Sequence, residues 1–259
     1  YSFAHLERYL NSDGNYWLKT KKELKDPSSI LGYFKGDLLN AKVYAFWINK
    51  LDVNAVEVTY FIYYPYNRGK QVQVIDTIWG NHVGDWEHIT IRFFQKFING
   101  KWTLSTPKEL YLSAHSGGNK KNWDDLKLVN SSPIIFSACG SHAMYFNAGS
   151  HTYKTIIPFI EELTDYCSEG SIFNTSQDGK IVAFDYSSKK GLNDEPWPTW
   201  MNDDFKTAGH NPSDPSSGGI FRWGNSERGC VSRFGSCRLE NGPTGPISKK
   251  DVWDPNVLE

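Results

Sequence analysis

The chain has 259 residues, with 28 Lys plus Arg against 29 Asp plus Glu and a formal net charge of −1, a balance that argues against a generic polyanion or membrane-charge binder. At 39% hydrophobic and 15% aromatic residues it is too apolar for a disordered chain, and a single large β domain is an ordinary outcome for this length. No apolar run of about 18 residues occurs and mean hydropathy is −0.53, so no transmembrane segment is expected.

From Ala55 to Tyr64 the sequence AVEVTYFIYY places Val56, Val58, Tyr60, Ile62 and Tyr64 on one parity, with Glu57 and Thr59 beginning the other, which is strand periodicity. Trp86 to Phe94, WEHITIRFF, predicts a second, half-buried strand with Glu87, Ile89, Ile91 and Phe93 on one face and Trp86, His88, Thr90 and Arg92 on the other. An Asn99-Gly100 turn follows, so a hairpin partner is expected from Lys101. Glu109–Ala114 and Pro133–Ala138 read as further strands, and Thr155–Tyr166 and Trp200–Ala208 as short peripheral helices. From about residue 187 Pro, Gly and Ser predict long ordered loops. The reading is mainly β: residues 1–259 as a single-domain β-sandwich with peripheral short helices and long C-terminal loops.

The stretch Trp79-Gly80-Asn81-His82-Val83-Gly84-Asp85-Trp86-Glu87-His88 carries two imidazoles and two carboxylates into the strong strand. Alternation points Asp85 and Glu87 to one face, about 7 Å apart. On that face they end an apolar interior, where two negative charges need a cation or a proton. His82, in a glycine-flanked turn, is placed to reach the same ion, while His88 faces away. A divalent cation held by His82, Asp85 and Glu87 is therefore expected, with Mg, Ca or Mn favoured over Zn by the oxygen-rich set. The alternative is that the carboxylates pair with Arg or with backbone donors. His115 and His142 follow predicted strands among small residues, and are candidates for proton transfer or for orienting the site; His210 is a further imidazole in the loop-rich portion. No nucleophile elbow, phosphate loop or dinucleotide fingerprint is present.

The chain begins at Tyr1, which leaves a removed signal peptide open, and Asn130-Ser131-Ser132 and Asn174-Thr175-Ser176 fit N-glycosylation. Cys139, Cys167, Cys230 and Cys237 lack zinc or CxxC spacing. Bridges Cys230–Cys237 and Cys139–Cys167 are expected in a secreted glycoprotein, with four buried thiols as the alternative.

The motifs His5-Leu6-Glu7-Arg8-Tyr9-Leu10, Phe61-Ile62-Tyr63-Tyr64-Pro65-Tyr66-Asn67, His82-Val83-Gly84-Asp85-Trp86-Glu87-His88, His115-Ser116-Gly117-Gly118 and Gly140-Ser141-His142-Ala143-Met144-Tyr145 resemble, in that order, the vacuolar protein sorting-associated protein 62 family. More distantly, the central motif is similar to the histidine-rich heptad of the necrosis- and ethylene-inducing peptide-like proteins, secreted β-sandwich cytolysins with a bound divalent cation. That resemblance implies metal ligation by His82, Asp85 and Glu87, with His115 in the adjoining pocket and a glycosylated sphingolipid headgroup as target. The heptad has a histidine where this chain has Gly84, and only Asp76 offers itself as the upstream carboxylate.

Two functional expectations follow. One is a secreted, divalent-metal-containing protein that binds a glycan or glycolipid headgroup on a target cell surface, with toxin-like membrane injury as its extension. The other is a metal-dependent hydrolase of glycosidic or phosphoester bonds in which His115 or His142 moves protons. Nucleic acid is not an expected partner. A third reading makes the motif a structural element of an interaction module.

Overall fold

The computed structural model describes residues 16–17, 40–73, 77–158, 161–175, 180–202, 221–224, 228–232, 235–256 and 258. Its strands, in chain order, are β1 (Tyr16–Trp17), β2 (Val43–Lys50), β3 (Ala55–Asn67), β4 (Lys70–Val72), β5 (Thr77–Ile98) and β6 (Lys101–Ala114). There follow β7 (Gly117–Asn122), β8 (Leu128–Val129), β9 (Ser132–Pro133), β10 (Phe136–Ser137), β11 (Met144–Tyr145) and β12 (Gly149–Ile157). The last are β13 (Glu161–Cys167), β14 (Ile181–Asp185), β15 (Lys190–Gly191), β16 (Phe221–Arg222), β17 (Arg228–Ser232) and β18 (Gly235–Leu239). The fold is mainly β and sandwich-like, built among the described residues on a 10-stranded mixed sheet whose backbone runs β15-β14-β2-β3-β5-β18-β17, with β4 and β6 paired to β5 and β7 paired to β6.

Alternation along β3 and β5 sorts the core into two layers. Phe61 and Trp86 join Phe46, Phe184, Trp200, Met201, Trp223, Ile247, Val252 and Trp253 on one face. On the other, Ile62, Tyr64, Ile89 and Ile91 pack against Leu110, Leu112 and Met144. The face expected to be solvated is therefore buried too. Arg92 on that face is paired internally: it donates to Glu57 Oε1 from Nε at 2.9 Å and from Nη2 at 2.7 Å, and also to Glu109.

The loop-rich C-terminal portion also contributes Trp200, Met201, Trp223, Ile247, Val252 and Trp253 to the core. It is fixed by Lys50, fully buried, whose Nζ lies 3.4 Å from Glu57 Oε2 and donates to the carbonyls of Asp251, Val252 and Asp254 at 3.1, 3.0 and 2.6 Å. These carbonyls end the short helix Lys250–Trp253, where a cation also meets the negative end of the helix.

Two further expectations are corrected. Thr155–Tyr166 is not helical: β12 and β13 form an antiparallel hairpin across it, because Tyr153, Thr155, Ile156 and Ile157 favour extended backbone and Pro158 interrupts a helix. Cys139 and Cys167 are free thiols, so that expected bridge is absent. Cys230 and Cys237 are directly opposite in the β17–β18 ladder, but their side chains lie outside the described residues. Of the expected Trp200–Ala208 helix, only a 3-10 turn, Thr199–Met201, falls within them.

Candidate functional site

The site forms where β5 changes neighbours. One edge of β5 is covered throughout, by β4 and then β3, from Thr77 to Phe94. On the other edge β18 pairs only as far as Asn81, and β6 begins only at Ile89. Residues 82–88 therefore have no strand on that edge among the described pairs, and side chains fill the gap. The backbone N–H of His88 donates to Ser113 Oγ at 2.8 Å, and that hydroxyl donates to the Glu87 carboxylate.

Asp85 and Glu87 share a face, as alternation requires, each about 8% exposed. Burial first, and then the neighbouring Asp85 charge, push the Glu87 carboxyl up to about 8, while the Ser113 hydroxyl and Lys249 pull it back. Tyr64, the Cα partner of Asp85, stacks on His142 with ring centroids 4.0 Å apart and planes 9° apart. His142 Nδ1 lies 3.2 Å from Asp85 Oδ2. The Tyr64 hydroxyl is pushed up to about 12, mainly by burial, and donates to Ser137 Oγ at 3.2 Å.

His142 is therefore brought beside Asp85, one member of the carboxylate pair. His82 lies within the continuous strand β5 rather than in a turn, and its Nδ1 is 2.6 Å from the Gly84 carbonyl. In the ladder it shares the parity of Trp86, opposite to Asp85 and Glu87. His88 faces away from the pair as expected, between Phe61 and Tyr111 at centroid distances of 5.3 and 5.7 Å. His210 and Asp76 lie outside the described residues.

Gly84 has a structural cause. Its φ is +73°, and a Cβ there would overlap the Trp223 carbonyl. Any side chain at this position, the heptad's histidine included, would collide with the C-terminal segment crossing β5.

His115 belongs to an adjacent cluster whose hub, Asp165, the sequence reading missed. Asp165 is fully buried and accepts from Ser141 Oγ at 2.6 Å and Tyr145 Oη at 3.0 Å, with His115 Nε2 at 2.7 Å and Lys70 Nζ at 3.4 Å. Burial alone would raise its carboxyl, but the bonds from His115, Ser141 and Tyr145, with the His115 charge, hold it down at about 2. His115 stacks on Tyr153, centroids 3.6 Å apart. The detectable signal was Leu163-x-Asp165-x-Cys167: once 161–167 is a strand, an aspartate occupies its inward parity.

The two clusters are joined by Ser141-His142, one residue serving each carboxylate. His115 and His142 both adopt left-handed backbone, φ 54° and 64°, a conformation uncommon outside Gly and enriched for His and Asn. Their placement is thus held by the surrounding bonds. Among the described residues no three His, Cys, Asp or Glu side chains are grouped so as to hold a metal. A hard divalent cation here would take its oxygen donors from the Asp85 and Glu87 carboxylates, with the remainder from a carbonyl, water or ligand, whereas His82 lies on the opposite parity of the strand.

Comparison with solved structures finds NLPPya in complex with glucosamine, at 22% identity over 43% of this chain and 46% of that one, TM-score 0.29. A structure described as "Toxin fold for microbial attack and plant defense" matches at 18% identity over 67% and 66%, TM-score 0.34. Among curated proteins, vacuolar protein sorting-associated protein 62 of Saccharomyces cerevisiae is 31% identical over 186 residues, 64% of this chain and 37% of that protein. TDA6 of the same yeast, also named for vacuolar protein sorting, is 29% identical over 255 residues, 87% of this chain and 49% of that protein. The chain thus spans half or less of the length of these relatives. The family described as "Vacuolar protein sorting-associated protein 62" matches residues 5–208, and the chain belongs to that family.

Proposed function

We propose that the chain binds a glycan or glycolipid headgroup through a divalent cation seated on Asp85 and Glu87. The observation that carries this reading is the pair itself: two carboxylates, each about 8% exposed, on one face at the end of an apolar layer. Such a pair needs a proton or a cation, and a divalent ion neutralises both charges while leaving coordination positions for sugar hydroxyls. Tyr64 stacked on His142, and Tyr153 stacked on His115, supply flat apolar surface and polar edges beside it. Secretion, a target cell surface and toxin-like injury are part of this proposal. The test is retention on glycolipid-bearing vesicles with Mg, Ca or Mn and with chelator. Binding by the wild type in an added ion and its loss in Asp85→Ala support the reading, whereas equal binding by both proteins refutes it.

Glu87 also favours a second reading. A carboxyl held at about 8 carries a proton at neutral pH, as a general acid does. With His142 beside Asp85, this fits a hydrolase of glycosidic or phosphoester bonds. Release of product from a bound glycoside or phosphoester, lost in Glu87→Gln, would select this reading.

A further inference from the structure

The β5–β6 hairpin continues past the sheet. The β3 strand ends opposite Phe94, and beyond it only the two hairpin strands pair, through Gln95–Leu104, Lys96–Thr103, Phe97–Trp102 and Ile98–Lys101 to the Asn99-Gly100 turn. A tip in water should be polar, yet Phe97 is 63% exposed, Ile98 50%, Trp102 60% and Leu104 55%. Alternation sets Phe97, Trp102 and Leu104 on one face of the ribbon, with Lys96, Lys101 and Ile98 on the other. Phe97 and Trp102 rings are in contact, centroids 5.3 Å apart, which makes one continuous apolar patch rather than scattered side chains.

The charge of this segment also departs from that of the chain. Residues 93–108 contain Lys96, Lys101 and Lys108 and no Asp or Glu, so they carry +3 in a chain of net charge −1. All three lysines are exposed. The adjoining turn adds Leu51, 69% exposed, and one carboxylate, Asp52.

We propose that this hairpin tip inserts its aromatic face into the interface of a bilayer bearing anionic lipids. Trp and Phe occupy the headgroup boundary, and Lys96 and Lys101, on the other face of the same narrow ribbon, reach lipid phosphate and carboxylate groups with their long side chains. A second copy of the chain is a poorer occupant, because stacking two such tips would bring two like-charged lysine sets together, whereas an anionic surface neutralises them. Asp85 and Phe97 are twelve residues apart on β5, roughly 35–40 Å along the strand, so this contact is separate from the carboxylate site and does not rest on its function.

The experiment is cosedimentation of the full chain with phosphatidylcholine vesicles, with and without phosphatidylserine. The wild type is expected to pellet with phosphatidylserine vesicles and to be released by salt. Phe97→Ser with Trp102→Ser should abolish pelleting. Lys96→Ala with Lys101→Ala should weaken it by about fivefold per lysine, on the order of 25-fold together. Quenching by bromine-labelled lipid, lost in Trp102→Phe, checks that the tip itself is inserted. Failure of the wild type to pellet, equal pelleting of both double variants and wild type, or a concentration-dependent dimer dissolved by the aromatic double variant would each overturn the proposal.

Discussion

In buffer freed of divalent ions, Glu87→Gln is expected to flatten the pH dependence of stability. The Glu87 carboxyl rises from 4.5 to about 8 on folding, through burial and then through Asp85. Between those values the folded chain holds a proton that the unfolded chain has released. The associated stability is therefore complete below the unfolded value and is lost as pH rises towards the folded one. The slope can reach about 1.4 kcal/mol per pH unit, so the full window corresponds to an upper limit on the order of 5 kcal/mol. Because Asp85 shares the site, the slope belongs to the pair. Gln keeps the size of the side chain and an acceptor for Ser113, but removes the titration. Urea unfolding across the window, in chelator, would show stability falling with pH in the wild type and a much flatter profile in the variant. A bound divalent ion should reverse the wild-type trend by favouring the ionised pair. Parallel profiles for the two proteins in chelator would refute the reasoning.

Lys50→Met should cost about 3–5 kcal/mol in urea unfolding, because Glu57 loses a buried cation and the Asp251, Val252 and Asp254 carbonyls lose their donor; a loss below about 1 kcal/mol would contradict the clamp. Gly84→Ala should destabilise by more than about 4 kcal/mol through overlap with Trp223, whereas Gly100→Ala, at φ +77° with open space around it, should cost about 1–2 kcal/mol. Under native conditions iodoacetamide should label exposed Cys139, while Cys167, buried and with its thiol pushed up to about 11 mainly by burial, should react only on unfolding. Equal native labelling would place Cys167 elsewhere.

Local alternation made much of this molecule legible. Val56 to Tyr64 and Trp86 to Phe94 carry a two-residue period, and the faces of β3 and β5, with Asp85 and Glu87 on one of them, follow from it. The burial of Glu57 and Arg92 did not follow, since polar residues on one parity normally mark a solvated face, and only the long-range Lys50–Glu57–Arg92 contacts reverse that sign. Thr155–Tyr166 misled for a different reason: its apolar spacing suits a helical turn, while its β-branched residues and Pro158 favour the hairpin that forms. His142 was visible as a candidate, but its meeting with Asp85 joins residues 57 positions apart, which no local pattern encodes. Asp165 was hidden behind the mistaken helix, because its inward position exists only once the segment is extended.

Thermal unfolding of the wild type and Asp85→Ala, in chelator and after adding Ca, Mg, Mn or Zn singly, tests the central claim most directly. Binding to the native state adds about 2.7 kcal/mol of stability by linkage at a ligand concentration 100 times Kd, and so raises the midpoint. The account predicts a midpoint lowered by chelator and restored by one hard divalent ion in the wild type alone. An unchanged wild-type midpoint after verified removal of the ion, or an equal response in Asp85→Ala, would contradict it.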